Sequence, residues 1–305
     1  MMMLCASQSA PPPQKPSIDE IISRFENASP PPTALMQVLN LMERPEVSAE
    51  DLAEVIRNDQ RLTAVLLKLC NSAAYGLSKK IETIQNAVAI LGFKTLKSLV
   101  YSMLSHSTLN KPLDGYGLDS GALWTNALTG ALFAKALSKK HQWADPEVAF
   151  TAGLLRDMGK LALNDYVGEE TKSIEQAARR DQGGYDHAEA SVFGIDHAEL
   201  GYEIAKKWQL PESLCMAIRY HHHPKRLRDE NPSKEALKVV SIVHLADILT
   251  VMIGYGVGSD GLMYTLDETI MDTLQFELTP LWLETTVSEL SVCQAEANAF
   301  KQALT

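Results

Sequence analysis

Apolar residues recur every three or four positions through most of this 305-residue chain, the spacing of helices that bury one face. Thr33 opens Ala34–Glu43, with apolar side chains at 35, 38, 39 and 42. Arg61–Ala74 carries Leu62, Val65, Leu66 and Leu69 on one face. The punctuation agrees with the spacing. Ser17-Ile-Asp-Glu20 is a capping box and Ser48-Ala-Glu-Asp51 is cap-like. Thr83 starts Ile84–Leu91, Gly92 stands as a helix stop, and Phe93–His106 follows. Asp145-Pro146 is a cap with proline at the first helical position. Further helices are predicted over 120–141, 160–182 with a break near Gly168, 235–255 and 280–304. Nothing alternates like a strand, and there is no Asn-Gly hairpin. The predicted fold class is all-α, a helical bundle with under about a tenth of strand. Leu62, Leu66, Leu69, Ile84, Val88 and Leu91 are expected to form the core of its N-terminal part.

One stretch in this pattern is chemically unusual. In Ala152-Gly-Leu-Leu-Arg-Asp-Met-Gly-Lys-Leu161 an apolar helix runs into the charged pair Arg156-Asp157, and Gly159 is expected to break the helix. Two charges at the buried end of a helix need partners or a task, because unpaired buried charge is costly. Histidines are the obvious company: His197, His221, His222 and His223 lie in helix-ending contexts, and Asp247 lies inside the apolar run Val239–Met252. Two near-copies, Asp186-His-Ala-Glu189 and Asp196-His-Ala-Glu199, each offer an aspartate that could cap a helix. Plainer readings of these residues are an Arg156–Asp157 pair at a helix break, a structural ion pair for Asp247, and exposed helix-end histidines at 221–223. His106, His141, His187 and His244 read as packing or surface residues.

Composition narrows the function classes. The net charge of −10 and pI near 5.3 argue against a nucleic-acid partner, which needs a basic footprint. The runs Lys79-Lys80 and Lys225-Arg226-Leu-Arg228 are short enough to be solvated loops. Cysteines stand at 5, 70, 215 and 293 without a Cys-x-x-Cys pair, so Cys70 and Cys215 read as small buried hydrophobes in a reducing cytoplasm. No apolar run is expected to reach the roughly 18 residues that span a bilayer. Met1–Ala10 lacks the basic start of a signal peptide. Residues 1–16, with Pro11-Pro-Pro13, read as a disordered tail. No Gly-rich phosphate loop and no Gly-x-Ser-x-Gly elbow is present.

The motifs together resemble a known family. Gly153-Leu-Leu-Arg-Asp-Met-Gly-Lys160 is similar to the His-Asp signature of the HD phosphohydrolase superfamily, Gly-Leu-Leu-His-Asp-Ile-Gly-Lys. Gly194-Ile-Asp-His-Ala-Glu-Leu-Gly201, Trp208-Gln-Leu-Pro211 and Ala217-Ile-Arg-Tyr-His-His222 resemble the more specific HDOD branch, the HD-related output domains of bacterial signalling proteins. Asp59-Gln-Arg-Leu-Thr63, Leu69-Cys-Asn-Ser-Ala73 and Ala87–Gly92 match that branch's N-terminal segments. The resemblance covers roughly residues 28–250 and implies an N-terminal helical subdomain at 17–112, an HD-like helical subdomain at 113–256 and a helical extension at 257–305. The segment 110–119 is expected to be the hinge between the first two.

The resemblance also implies a site. The family holds its metal with an early His, the His-Asp pair and a later Asp, with extra histidines in two-metal members. Here Asn126 stands at the early His and Arg156 at the His of the pair. Asp157 and Asp247 keep the carboxylate positions, and His197, His221 and His222 match the extra histidines. Arginine cannot ligate a cation, so no metal and no other cofactor is expected, with the guanidinium taking the cation's place. The implied function is a non-catalytic bacterial signalling output module that acts on protein partners. One alternative is a phosphohydrolase of phosphodiester or nucleotide substrates, with a divalent transition metal on Asp157, His197, His221, His222 and Asp247. The other is a sensor that binds a nucleotide or cyclic dinucleotide without turnover.

Overall fold

The structure, a computed structural model, describes residues 16–28, 32–58, 60–72, 75, 77–181, 184–255, 258 and 264–304. The tail expected over 1–16 lies outside the described residues except for Pro16, as does Gly183. The chain is all-α, as its periodicity predicts; among the described residues the only extended pairing is an isolated bridge between Leu113 and Leu118.

A first group of helices comprises α1 (Ile18–Ala28), α2 (Thr33–Met42), α3 (Ala49–Arg57), α4 (Gln60–Cys70) and α5 (Ile84–Leu109). The local start signals act as the sequence implies. The Ser17 hydroxyl accepts from Glu20 N–H while Ser17 N–H donates to the Glu20 carboxylate, and Ser48 and Asp51 do the same for α3. Leu35, Val38, Leu39, Leu52, Ile56, Leu66 and Leu69 are buried between α2, α3, α4 and α5. Val88 and Leu91 are only partly covered, and Ala87 is the buried residue of that turn; the expected core was one helical position out of phase there.

Gly92 interrupts α5 with φ 81° and ψ 161°, so a helix stop is present where the sequence put one, but the chain re-enters the helix at once. By length and mean hydropathy α5 would suffice to cross a membrane, contrary to the expectation that no run is long enough. It is a broken helix that packs on α2, α3, α4 and α7. By contrast α1 lies against α8 and α11, introduced below, with Phe25 stacked on Trp208.

The second group is α6 (Ala122–His141), α7 (Pro146–Leu155), α8 (Gly159–Glu169), α9 (Thr171–Asp181), α10 (Tyr185–Phe193), α11 (His197–Lys207), α12 (Glu212–Tyr220), α13 (Pro224–Leu227) and α14 (Lys234–Met252). The segment expected to be a hinge forms a 3-10 turn at Asp114–Tyr116 that buries Tyr116 completely. After α14 come the short α15 (Thr269–Leu274), which periodicity did not predict, then α16 (Pro280–Leu290) and α17 (Val292–Leu304). The single last helix expected from Thr279-Pro280 is therefore two. Neither Pro nor Gly marks the break at Ser291. The last helix packs on α4 and α6.

Candidate functional site

Seven helices converge on one point. The long apolar helix α6 presents Asn126. The helix α7 ends at Leu155, and Arg156–Met158 forms a tight turn into α8, which carries Lys160. Glu189 comes from α10, His197 is the first residue of α11, His221 and His222 follow the last turn of α12, and Asp247 projects from α14. Two glycines make the convergence possible. A Cβ at Gly130 of α6 would lie 2.7 Å from the Arg156 guanidinium. A Cβ at Gly159 would lie 1.9 Å from the His197 carbonyl oxygen. Gly159 thus starts a helix and lets α8 touch α11; it does not break a helix as the sequence suggested.

Arg156 is 0% exposed, and its guanidinium is the hub. Nε and Nη2 each lie 2.8 Å from Asp247 Oδ1, and Nε lies 3.2 Å from Asp157 Oδ2. Nη1 donates to the Gly153 carbonyl at 2.7 Å, and Nη2 donates to Asn126 Oδ1. Asn126 is held in turn by its amide donating to the Tyr255 carbonyl at 2.8 Å. The other Asp157 oxygen, Oδ1, pairs with Lys160 Nζ at 2.8 Å. Such charge-assisted contacts are short and directional, and Asn126, Arg156, Asp157, Lys160 and Asp247 are all buried.

The histidines form the adjoining half. His197 Nδ1 donates to Glu189 Oε2 at 2.7 Å, and the His197 backbone N–H donates to the same oxygen at 2.8 Å. Tyr116 donates to Glu189 Oε1 at 2.7 Å. His197 Nε2 meets His222 Nε2 at 3.0 Å, and His221 Nδ1 meets the Ile218 carbonyl at 2.8 Å. Burial pushes the His197 imidazole toward its neutral form, but the Glu189 carboxylate and its hydrogen bond outweigh burial and raise its pKa to about 9. Burial lowers His221 to about 4 and holds His222 well below the ordinary range. Burial raises the Asp157 carboxyl, yet Lys160, Arg156 and the neighbouring histidines overcome this and hold it far below the usual carboxylate range.

One ring must donate across the His197–His222 contact, and the raised His197 and lowered His222 assign that role to His197. His197 is the imidazolium and donates from Nε2 to a neutral His222. His221 donates from Nδ1 and keeps its Nε2 lone pair. The result is three cations, Arg156, Lys160 and His197, among three carboxylates, Asp157, Asp247 and Glu189. Two ring atoms, His221 Nε2 and His222 Nδ1, are buried without a hydrogen-bond partner.

The structure brings all seven sequence-derived site residues together: Asn126, Arg156, Asp157, His197, His221, His222 and Asp247. His221 and His222 are buried, not an exposed helix end. His223 is half-buried and pairs with Asp186. Asp196 caps α11 by accepting from Glu199 N–H at 2.7 Å. Asp186 does not cap α10, whose first residue is preceded by Gly184. His244 is no simple packing residue: Nδ1 meets the His221 carbonyl at 2.6 Å, and Nε2 accepts from Asp267 N–H at 2.8 Å. Sequence reasoning missed Lys160, Glu189 and Tyr116 as members of the site. Glu189 closes the first of the two Asp-His-Ala-Glu copies, eight residues before His197, and that proximity was its one sequence signal.

An HD-type metal fits this donor set poorly. Asp247 Oδ1 and Asp157 Oδ2 are engaged by Arg156, Asp157 Oδ1 is engaged by Lys160, and Asn126 offers only a weak amide oxygen already in use. The histidine half has better donors. One ligand atom from each of Asp157, His197, His221 and His222 lies within 4.8 Å of the others, and a carboxylate behind a ligating imidazole, as Glu189 stands behind His197, is usual in metal sites.

The chain is similar to several known proteins. An uncharacterised protein of Treponema pallidum (strain Nichols) is 28% identical over 204 residues, 67% of this chain and 39% of that protein; the chain thus spans about two fifths of that relative's length. Among solved structures, a "Putative phosphohydrolase" from Shewanella amazonensis SB2B superposes with a TM-score of 0.69 at 22% identity, over 93% of this chain and 98% of that one. A "Putative signal transduction protein" from Marinobacter aquaeolei VT8 gives 0.67 at 20% identity, over 93% and 63%. At these identities the two structures speak to the fold. The model of the HDOD domain family matches residues 29–224, well over half of the chain and all of the converging elements from α6 to α12. The chain belongs to the HDOD domain family.

Proposed function

We propose that this chain is a non-catalytic signal-transduction output module that works through contacts with protein partners, and that Arg156 fills the place a metal holds in hydrolytic HD proteins. The observation that carries this reading is the fully buried guanidinium bridging Asp247, Asp157 and Asn126. A dication about 4 Å from it would meet roughly 8 kcal/mol of repulsion at an effective dielectric of about 20. The three buried carboxylates are already matched by three cations, so an added ion would bring uncompensated charge into the interior. Family membership and the likeness to a protein named for signal transduction support the signalling role. The test is phosphodiester hydrolysis by the purified protein with added manganese, iron or zinc. No turnover is expected, and Arg156→His with Asn126→His should raise metal affinity in the network. Metal-dependent turnover by the wild type, lost in Asp157→Asn, would overturn the reading.

The unpartnered lone pair on His221 Nε2 favours a second reading. A divalent ion on Asp157, His197, His221 and His222 would use the His221 lone pair, and would require Lys160 to release Asp157 and His197 to give up a proton. When bound, such an ion supplies Lewis-acid chemistry for phosphoryl groups. Metal analysis separates the readings: an ion retained by the wild type and lost in His221→Ala would establish the second.

A further inference from the structure

A different cluster sits at the start of α10, outside the buried network. Asp186 and His187 occupy its first turn, and His223 stands between α12 and α13. One carboxylate oxygen and one ring nitrogen from each histidine all lie within 4.8 Å of one another. Asp186 is 2% exposed. Its Oδ2 is 2.5 Å from His223 Nε2, but its Oδ1 is buried with no hydrogen-bond partner. A buried carboxylate oxygen without a partner is costly, and helix capping does not account for it, because Asp186 caps nothing. That oxygen lies close against Gly184, where a Cβ would stand 2.3 Å from Asp186 Oδ1, so only glycine permits this placement of the carboxylate. The His187 and His223 rings meet edge to face with centroids 5.4 Å apart. His187 is exposed, and its Nε2 has a contact at 3.5 Å with Nη2 of the exposed Arg226, which an ion on that nitrogen would displace.

The surroundings suit a cation. Asp186 and His223 line a cleft of about 340 Å³ in which Asp196, Glu199, Asp229 and Glu230 outnumber Arg219 and Arg226. Two imidazoles and a carboxylate select a borderline-soft ion over magnesium or calcium, which prefer all-oxygen sets. Zinc takes such ligands at about 2.0–2.2 Å in tetrahedral geometry, which asks Asp186 and His223, now in direct contact at 2.5 Å, to open by roughly 1 Å around the ion while the His187 ring supplies the third ligand. We propose that Asp186, His187 and His223 form a binding site for a zinc-class divalent ion, with the fourth position taken by water in the cleft. The ion ties the first turn of α10 to the turn that carries His221 and His222, so its occupancy bears on the end of the chain segment that supplies the buried network.

The test is titration of the full chain, stripped with a chelator, with Zn²⁺ by calorimetry and with Co²⁺ by visible absorption. One equivalent is expected, with the absorption of tetrahedral cobalt. His187→Ala removes an exposed side chain and should leave the fold intact by circular dichroism while weakening binding by more than about tenfold. His187→Cys should restore it, because thiolate is a zinc ligand, whereas a merely structural role for the ring would not be rescued. Absence of saturable binding by the wild type would overturn the proposal. So would undiminished binding in His187→Ala, since the ion would then lie in the buried histidines instead.

Discussion

The helices α2–α5 and the helices α6–α14 bury very different material. In α2, α3, α4 and α5 the covered side chains are mostly aliphatic, with Cys70, Tyr101 and Met103 among them, and the other buried polar groups are the serines of α5, of which Ser102 bonds to its own helix backbone. Among the described residues, no charged side chain is buried before Arg156. At the centre of the second group sit an arginine, a lysine, three histidines and three carboxylates. The first arrangement is held by a force without direction, proportional to apolar area. The second depends on partners at fixed distances, and removing one member strands the others. Apolar packing therefore degrades by degrees, whereas the ion network has the all-or-none character of a lock.

The sharpest way to break this comparison is Arg156→Ala. It leaves Asp157 and Asp247 buried beside each other, and should cost about 3–5 kcal/mol of unfolding free energy in a urea titration. A loss under about 1 kcal/mol would mean that water or relaxation rescues the carboxylates and that the network is not a lock. Next comes Leu66→Ala between α3, α4 and α5. The side chain is 0% exposed, and its truncation should cost about 2–5 kcal/mol without altering the pH dependence of stability.

That pH dependence is the third test. The folded-state pKa of His197 is raised to about 9. Its contribution is therefore complete below the unfolded value of about 6.5, and is lost as pH rises through about 9. His221 is lowered to about 4, so its contribution is present above about 6.5 and is lost as pH falls toward 4. Stability measured by urea titration should peak near pH 6.5. The alkaline side should fall by at most about 3 kcal/mol, the equivalent of the shift. His197→Asn should flatten the alkaline limb, and a steep alkaline fall in that variant would assign it elsewhere. The smallest effect is Ser48→Ala, which removes the cap of α3 and should cost about 1 kcal/mol, with no change on the pH profile.

The same contrast explains what the sequence made legible. Caps at Ser17, Ser48, Thr83 and Asp145 act on backbone groups three residues away or fewer, so the residues that make them stand together in the chain. Arg156 and Asp247 are 91 residues apart; the sequence showed that each needed company, and the family motif suggested that they share a site, but not which atoms would meet. The pairing of Glu189 with His197 spans a turn whose path periodicity does not define. The break at Ser291 lacks a Gly or Pro, and the helix after it continues the same apolar spacing, so the two final helices read as one. At Gly159 the signal was present but its meaning was spatial. A glycine after a charged pair looks like a helix stop, and only the distance to the His197 carbonyl reveals a close approach.

The break in α5 carries a consequence in chirality. At Gly92 the backbone has φ 81° and ψ 161°, and a Cβ placed there would meet nothing within 4 Å. The obstacle to a side chain is thus handedness alone. An L-alanine must take a conformation that L-residues avoid, while the mirror image of these angles is ordinary extended backbone. D-alanine introduced at this position by chemical ligation should fit without strain, and by restricting the unfolded chain it should stabilise the protein where the natural enantiomer destabilises it.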